Sequence, residues 1–257
     1  MMQLSLLQLN INSDNYWDQL ISYLTSHDFD VLHLQELTGN HTIAGNINSH
    51  RNTYAELQKF LEEKYYGVLS INQRYTSSPD AYLGNGTFYK KHFVLKKKKD
   101  IVLSQFDVFH SESTDYTKVG RTLLHLTFEI DGKEISFLNT HFAWGKTNIQ
   151  KPHQTKQGEI LIEYLKTVEP PFVLSGDFNL TPDQPLIKKI SSLTRNLTKE
   201  NNVSNTLDPK NHRVKDLFPP GLAVDYIFTS LDITIKNFAV IDENLSDHFG
   251  LETNLIL

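Results

Sequence analysis

Six apolar runs in this 257-residue chain carry, at or beside their ends, side chains able to hold a metal ion or a phosphate. Five end abruptly: Leu9-Asn10-Ile11-Asn12, Leu34-Gln35-Glu36, Leu138-Asn139-Thr140-His141, Leu174-Ser175-Gly176-Asp177-Phe178-Asn179 and Asn244-Leu245-Ser246-Asp247-His248. The sixth, Ala223-Val224-Asp225-Tyr226-Ile227-Phe228, sets its acid near the start of the run. A carboxylate at the end of a buried strand is partly desolvated, which is costly unless the group is paired or binds a cation. One such end is ordinary. Six point to convergence on one site.

The segments between these ends read as alternating strands and helices. Leu4 to Leu9 is a buried strand, and Trp17, Leu20, Ile21 and Leu24 then recur at the i, i+3, i+4, i+7 spacing of a helix face, with Ser13 or Asp14 as N-cap. Val31 to Leu34 is a second strand, and Tyr54, Leu57, Phe60 and Leu61 mark a second helix. Asp131-Gly132 is a hairpin signal within a β-rich, antiparallel middle. A third helix opens near Pro152, puts Ile160, Leu161, Tyr164, Leu165 and Val168 on one face and stops at Pro170-Pro171. Phe172 to Leu174 is again a strand, 194–220 reads as a polar surface excursion, and three strand-like runs near 223–229, 233–241 and 249–256 close the chain. With 39% hydrophobic residues there is enough apolar mass for a buried core, and residues 1–257 are expected to form one domain.

Spacing adds geometry to the polar ends. Residues two apart in an extended chain point the same way, so Asp177 with Asn179, and Asn10 with Asn12, are each expected to address one ligand. Gly176 is expected to let the backbone approach that ligand. Zero Cys excludes a thiolate nucleophile and a cysteine metal site. Oxygen donors from Glu36, Asp177 and Asp247 with no soft ligand select Mg²⁺ or Mn²⁺ over zinc. Taken singly, Glu36 or Asp247 is a surface acid after a strand, and Asp177 with Asn179 is an Asx-type turn; the combination favours a site. His33, His92 and His125 are assigned no role, the Lys96 to Lys99 run reads as a charged hairpin tip, and Tyr226 and Phe178 read as packing. Trp144, in a loop after His141, is the best candidate for a substrate wall.

Taken in order, LN at Asn10, LQE at Glu36, a strand bearing Arg121, NTH at His141, GDFN at Asp177 and Asn179, VDYIF at Asp225 and SDH at Asp247 and His248 resemble the endonuclease/exonuclease/phosphatase superfamily over nearly the whole chain. The resemblance implies an α/β (α+β) fold of the DNase I-like kind: a four-layer α/β/β/α sandwich, two mixed sheets face to face with helices outside. It implies hydrolysis of a phosphate ester by water with one or two Mg²⁺ (or Mn²⁺) ions. By that analogy Glu36 is the main metal ligand, with Asn10 and Asp247 helping to hold the metal or its waters. Asn179 and His141 bind the scissile phosphate, with Arg121 nearby and Asn10 contributing. His248, oriented by Asp225, and Asp177 form the group that activates water, and either of the two is the base.

The expected function is therefore a nuclease-like phosphodiesterase. A phosphomonoesterase or a lipid or small-molecule phosphodiesterase with the same site is the alternative, and a non-catalytic scaffold the third reading. GDFNLTPD departs from the GDxNVAH of AP endonucleases and from the GDTNLR of tyrosyl-DNA phosphodiesterase 2. No GxSxG, HExxH or P-loop supports an unrelated enzyme. The partner expected is a phosphate-ester substrate, nucleic acid included, with no membrane span and a monomeric chain. The opening MMQLSLLQLN lacks a basic leader, so the expected location is cytoplasmic. A net charge of -5 and few, dispersed Arg, at 51, 74, 121, 195 and 213, predict a short footprint of about two to four phosphate contacts.

Overall fold

A computed structural model describes residues 2–39, 51–75, 81–105, 115–147, 149–212 and 222–257. Its strands are β1 (Gln3–Asn10), β2 (Val31–Thr38), β3 (Tyr65–Arg74), β4 (Tyr82–Lys90), β5 (Val94–Ser104), β6 (Arg121–Ile130), β7 (Lys133–His141), β8 (Phe172–Asp177), β9 (Arg195–Asn196), β10 (Asp225–Thr229), β11 (Thr234–Ile241) and β12 (Gly250–Ile256). The helices are α1 (Trp17–Ser26), α2 (Thr53–Leu61), α3 (Pro152–Leu165), α4 (Pro185–Ser191) and α5 (Leu197–Glu200). One six-stranded sheet has the order β11-β12-β1-β2-β4-β3, the other β5-β6-β7-β8-β10-β9. β1 and β2 run parallel, as do β7 and β8, and each pair is joined through a helix, α1 or α3; the remaining pairings are antiparallel.

Strand alternation builds the layers. In β1, Leu4 and Leu6 face the other sheet and join a cluster with Leu126, Phe128, Phe137 and Val173, whereas Leu7 and Leu9 face outward against Leu20 and Leu24 of α1 and Leu57 of α2. On the second sheet Leu138 and Leu174 face outward beneath Leu161 and Leu165 of α3 and Ile187 of α4. The expected four-layer sandwich is thus observed. Each fully buried Leu or Phe contributes about 1.5–3 kcal/mol of transfer free energy.

Several local expectations are corrected. The N-cap of α1 is Tyr16, without a side-chain cap bond, because Asn12 and Ser13 take left-handed backbone (φ 51 and 61) and turn the chain before the helix begins. Phe60 and Ile160 are exposed, and Ile162 is buried in place of Ile160. Lys96 to Lys99 lie inside β5, an edge strand, where Lys96 pairs with Glu129 at 3.0 Å; no hairpin tip is formed there, and charges on an edge block further pairing. Part of the 194–220 excursion is structural: β9 and α5 occupy its start, Thr198 and Thr206 are buried, and Leu207 bridges to His248. Its end at 213–221, with Arg213, lies outside the described residues. The Asp131-Gly132 hairpin is as expected, both residues at positive φ.

Candidate active site

Followed from one end to the other, the inward-facing positions change from apolar to polar at the same level in both sheets. In β1, Leu4 and Leu6 give way to Gln8 and Asn10; in β2, Val31 to His33 and Gln35; in β7, Phe137 to Asn139 and His141; in β8, Val173 to Ser175 and Asp177. These side chains are buried, so each needs a partner. All but His141 are linked across the gap: His33 Nδ1 meets Ser175 Oγ at 2.7 Å, Gln35 Nε2 donates to Asn139 Oδ1 at 2.8 Å, Gln8 Nε2 donates to Asp225 Oδ1 at 3.0 Å and Asn10 Nδ2 donates to Asp177 Oδ2 at 3.1 Å.

Three acid–histidine contacts sit at the end of this polar half. His248 Nδ1 lies 2.9 Å from Asp225 Oδ2, which also accepts from Thr206 Oγ1 at 2.6 Å. His248 Nε2 lies 3.9 Å from Asp177 Oδ2, and His141 Nε2 lies 3.4 Å from the same oxygen. Burial opposes a charge on His248, but Asp225, then Asp177 and Asp247, outweigh it and raise the imidazole to about 10. Burial and then Asp225 raise Asp177 to about 7, against the pull of His248 and Asn10. Burial holds His141 well below the usual histidine value, with Arg121 and His248 adding to the effect. His248 is therefore the cation of the group and His141 is neutral.

Glu36 reaches the site by a departure from strand geometry. Gln35 already faces inward, so regular alternation sends Glu36 outward. A register shift between Leu34 and Leu37 and a φ of 60 at Glu36 swing it back, where Asn10 Nδ2 donates to Oε1 at 3.2 Å. Burial and the neighbouring Asp247 raise its carboxyl. Asn179 is also left-handed (φ 51): its N–H donates to Asp177 Oδ1 at 2.8 Å and its Nδ2 lies 3.2 Å from His141 Nε2. The pairing of Asp177 with Asn179 thus arises from an Asx turn and not from extended alternation. Asn12 does not join its expected partner, because the same kind of turn sends its side chain to Asn15. Gly176 serves close strand approach and not a ligand, since a Cβ there would meet the Thr140 carbonyl oxygen at 1.9 Å.

All nine residues expected from the sequence fall in this region. Arg121, at the start of β6, is buried with Nε unpartnered and feels the charges of Glu36 and Asp177. Asp247 influences both Glu36 and His248. Among the described residues, ligand atoms of Asp177, Asp225 and His248 lie within 4.8 Å of one another. In that trio Asp225 is already engaged by Gln8, Thr206 and His248, so its oxygens are poorly available to an ion. Glu36, whose carboxyl the Asp247 charge raises, could with Asp247 offer oxygen donors to a hard cation. Sequence reasoning missed Gln8, Thr206 and His212. The first two bind Asp225 directly, and His212 Nε2 lies 3.9 Å from Asp247 Oδ2. Gln8 is two residues before Asn10 and so on the same face, a signal that alternation supplies; the other two sit in the excursion, which carries no period.

The sequence matches the model of the Endonuclease/Exonuclease/phosphatase family over residues 7–248. It matches no curated protein. Among solved structures, the fold is similar to an endonuclease/exonuclease/phosphatase from Beutenbergia cavernae (19% identity, TM-score 0.74, covering 100% of this chain and 72% of that one). It is also similar to the human Nocturnin catalytic domain with bound sulfate (17%, 0.71, 99% and 93%) and to a Bacteroides thetaiotaomicron mannosyl-6-phosphatase (18%, 0.70, 99% and 100%).

Proposed function

Since the chain belongs to the endonuclease/exonuclease/phosphatase family, we propose that it hydrolyses phosphate esters, as a divalent-metal-dependent phosphodiesterase of the nuclease-like kind. The observation that carries this reading is the convergence, from both sheets, of Asn10, Asp177, His141, Asn179 and the Asp225–His248 pair beside Glu36. Glu36 and Asp247 would hold Mg²⁺ or Mn²⁺, with Asn10 fixing the Glu36 carboxylate. When bound, the ion supplies charge neutralisation at the phosphoryl oxygens. Asn179 and neutral His141 hold the phosphate, and Arg121 adds charge. His248, kept cationic by Asp225, donates from Nε2 toward the developing charge, while Asp177, raised to about 7, takes the proton of the attacking water.

A phosphomonoester or small-molecule substrate is the second reading, favoured by the charge distribution. Lys90 pairs with Asp28, and Lys96 with Glu129, on segments away from the polar half, so among the described residues the lysine clusters do not form a track leading to the site. The test is an activity panel of plasmid DNA, single strands, RNA, a chromogenic phosphodiester and a phosphomonoester. We expect diester cleavage that vanishes with EDTA and returns with Mg²⁺ or Mn²⁺. Full activity after exhaustive chelation contradicts the metal, and turnover confined to monoesters selects the second reading.

A further inference from the structure

We propose that Asn72 and Gln73 are positioning residues for Arg121, holding its guanidinium at the phosphate site from the opposite sheet; the phosphate part rests on the phosphoester-hydrolase reading above. Among the described residues no carboxylate forms an ion pair with Arg121. Its Nη1 donates to the carbonyl of the preceding residue, Gly120 O, at 3.0 Å, and its Nε has no partner. A buried cation without a bonded acid is costly, and a long side chain carries its charge out to water unless something fixes it. Here the backbone is fixed on both sides. Gly120 N–H donates to Gln73 Oε1 at 2.7 Å, and Thr122 donates to Asn72 Oδ1 twice, from N–H at 3.1 Å and from Oγ1 at 2.6 Å. The residue before Arg121 and the residue after it are thus held by consecutive residues of β3.

Consecutive residues of a regular strand point to opposite faces, so Asn72 and Gln73 reach one target only because β3 is irregular. Its register with β4 shifts between Ile71 and Gln73, which makes Asn72 the extra residue of a bulge. The register of β5 with β6 shifts as well, between Val102 and Ser104, and Ser104 lies opposite Arg121. A bulge therefore stands beside Arg121 in its own sheet and another across the gap. Asn72 is itself held: its Nδ2 donates to Asn85 Oδ1 at 2.8 Å, and Asn85 Nδ2 donates to Thr122 O at 3.3 Å. Ser70 Oγ lies 2.7 Å from Thr122 Oγ1. Ser70, Asn72, Gln73 and Asn85 are all buried, where satisfied polar networks are rigid. A tie that only joined the sheets would need no such aim. These bonds fall on the two residues that flank a buried cation with no ion pair, one that feels the charges of Glu36 and Asp177.

The Nε–H signal of Arg121 is identified in a ¹⁵N spectrum by its loss in Arg121→Lys. In the parent its order parameter should be about 0.8, and Gln73→Met, which removes the acceptor at little change in volume, should drop it below about 0.6. Gln73→Glu, which returns an acceptor oxygen to Gly120 N–H, should restore the parent value. With Mg²⁺ present, Gln73→Met should weaken inorganic phosphate about tenfold and raise KM for a chromogenic phosphodiester by a similar factor, with a smaller change in kcat. In an Arg121→Met background the same substitution should cost less than about twofold, because the residue through which it acts is gone. Equal losses with and without Arg121, or an unchanged order parameter in folded Gln73→Met, overturn the proposal and leave Gln73 a tie between sheets. If Gln73→Met does not fold, Asn72→Ala is read in the same two backgrounds. An Arg121 Nε–H already mobile in the parent, below about 0.6, overturns the proposal without any variant. Ordering that depends on Gln73 in a protein that hydrolyses no phosphoester would sustain the positioning role and reject the hydrolase reading.

Discussion

The layer between the two sheets is one continuous row of inward-facing positions, yet its two halves do different work. In the apolar half Leu6, Phe128, Phe137 and Val173 pack without direction, so any residue of similar volume satisfies them roughly. In the polar half each buried group has to meet one particular partner across the gap, because a buried polar atom without one is costly. The apolar half therefore fixes how close the sheets come, and the polar half uses that fixed gap to hold Asp177, Asp225 and His248 within a few ångströms. Damage to the first should lower stability and spare the chemistry. Damage to the second should lower the rate, and stability as well wherever it strands a buried partner.

The largest effect is expected at the end of the polar half. His248→Ala should lower kcat by about 10² to 10⁴ and also cost stability, because buried Asp225 keeps Gln8 and Thr206 but loses its cation; Asp225→Asn should lower the rate in the same direction. Because the two side chains form one unit at 2.9 Å, their losses should be far from additive; additive losses would show independent roles. In the other half, Phe128→Ala should cost about 3–5 kcal/mol of stability. Its rate, measured well below the melting point, should stay within a few-fold of the parent, and a loss comparable to that of His248→Ala would erase the division between the halves.

Gln8 stands at the boundary and should show both effects. Gln8→Leu leaves Asp225 Oδ1 and Gln35 Oε1 without their shared donor, so about 1–3 kcal/mol of stability should be lost together with part of the rate. A change in melting temperature alone would reduce Gln8 to a packing residue.

How much of this was legible in the sequence follows from the same division. Asn10, Glu36, His141, Asp177, Asn179 and His248 were visible because apolar runs break at them, and Asp225 because it interrupts the start of one; both are one-dimensional signals. The four layers were implied by the resemblance that the motif order carries; the facing of Leu4 and Leu6 against Leu7 and Leu9 is a structural finding. The routes were hidden. Glu36 enters through a register shift and Asn179 through a left-handed turn, both set by cross-strand contacts that spacing does not encode. Thr206 and His212 come from a segment without period, placed by backbone bonds to the SDH segment: Asp208 N–H donates to Asp247 O at 2.9 Å and Phe249 N–H to Thr206 O at 2.7 Å. The lysine run misled because four consecutive charges resemble a tip, whereas an exposed edge strand also tolerates them.

A smaller effect concerns acid. Burial depresses His33, in the polar half, from 6.5 to about 3. Between those values the unfolded chain holds a proton that the folded one refuses, so stability falls as pH falls, by up to about 1.4 kcal/mol per pH unit for one such group. His33→Gln should flatten the acid limb of the stability profile by one proton, and an unchanged slope would mean that His33 titrates normally in the folded protein.

The direct test of the whole arrangement is a Mn²⁺ titration of Glu36→Gln against the parent, followed by calorimetry. The substitution removes one charge and almost no volume from the residue that the strand irregularity turns inward. A retained fold with metal affinity lowered at least about tenfold is the predicted result, in line with the loss of an oxygen donor to a hard cation. An isotherm indistinguishable from the parent would contradict it and remove Glu36 from the site.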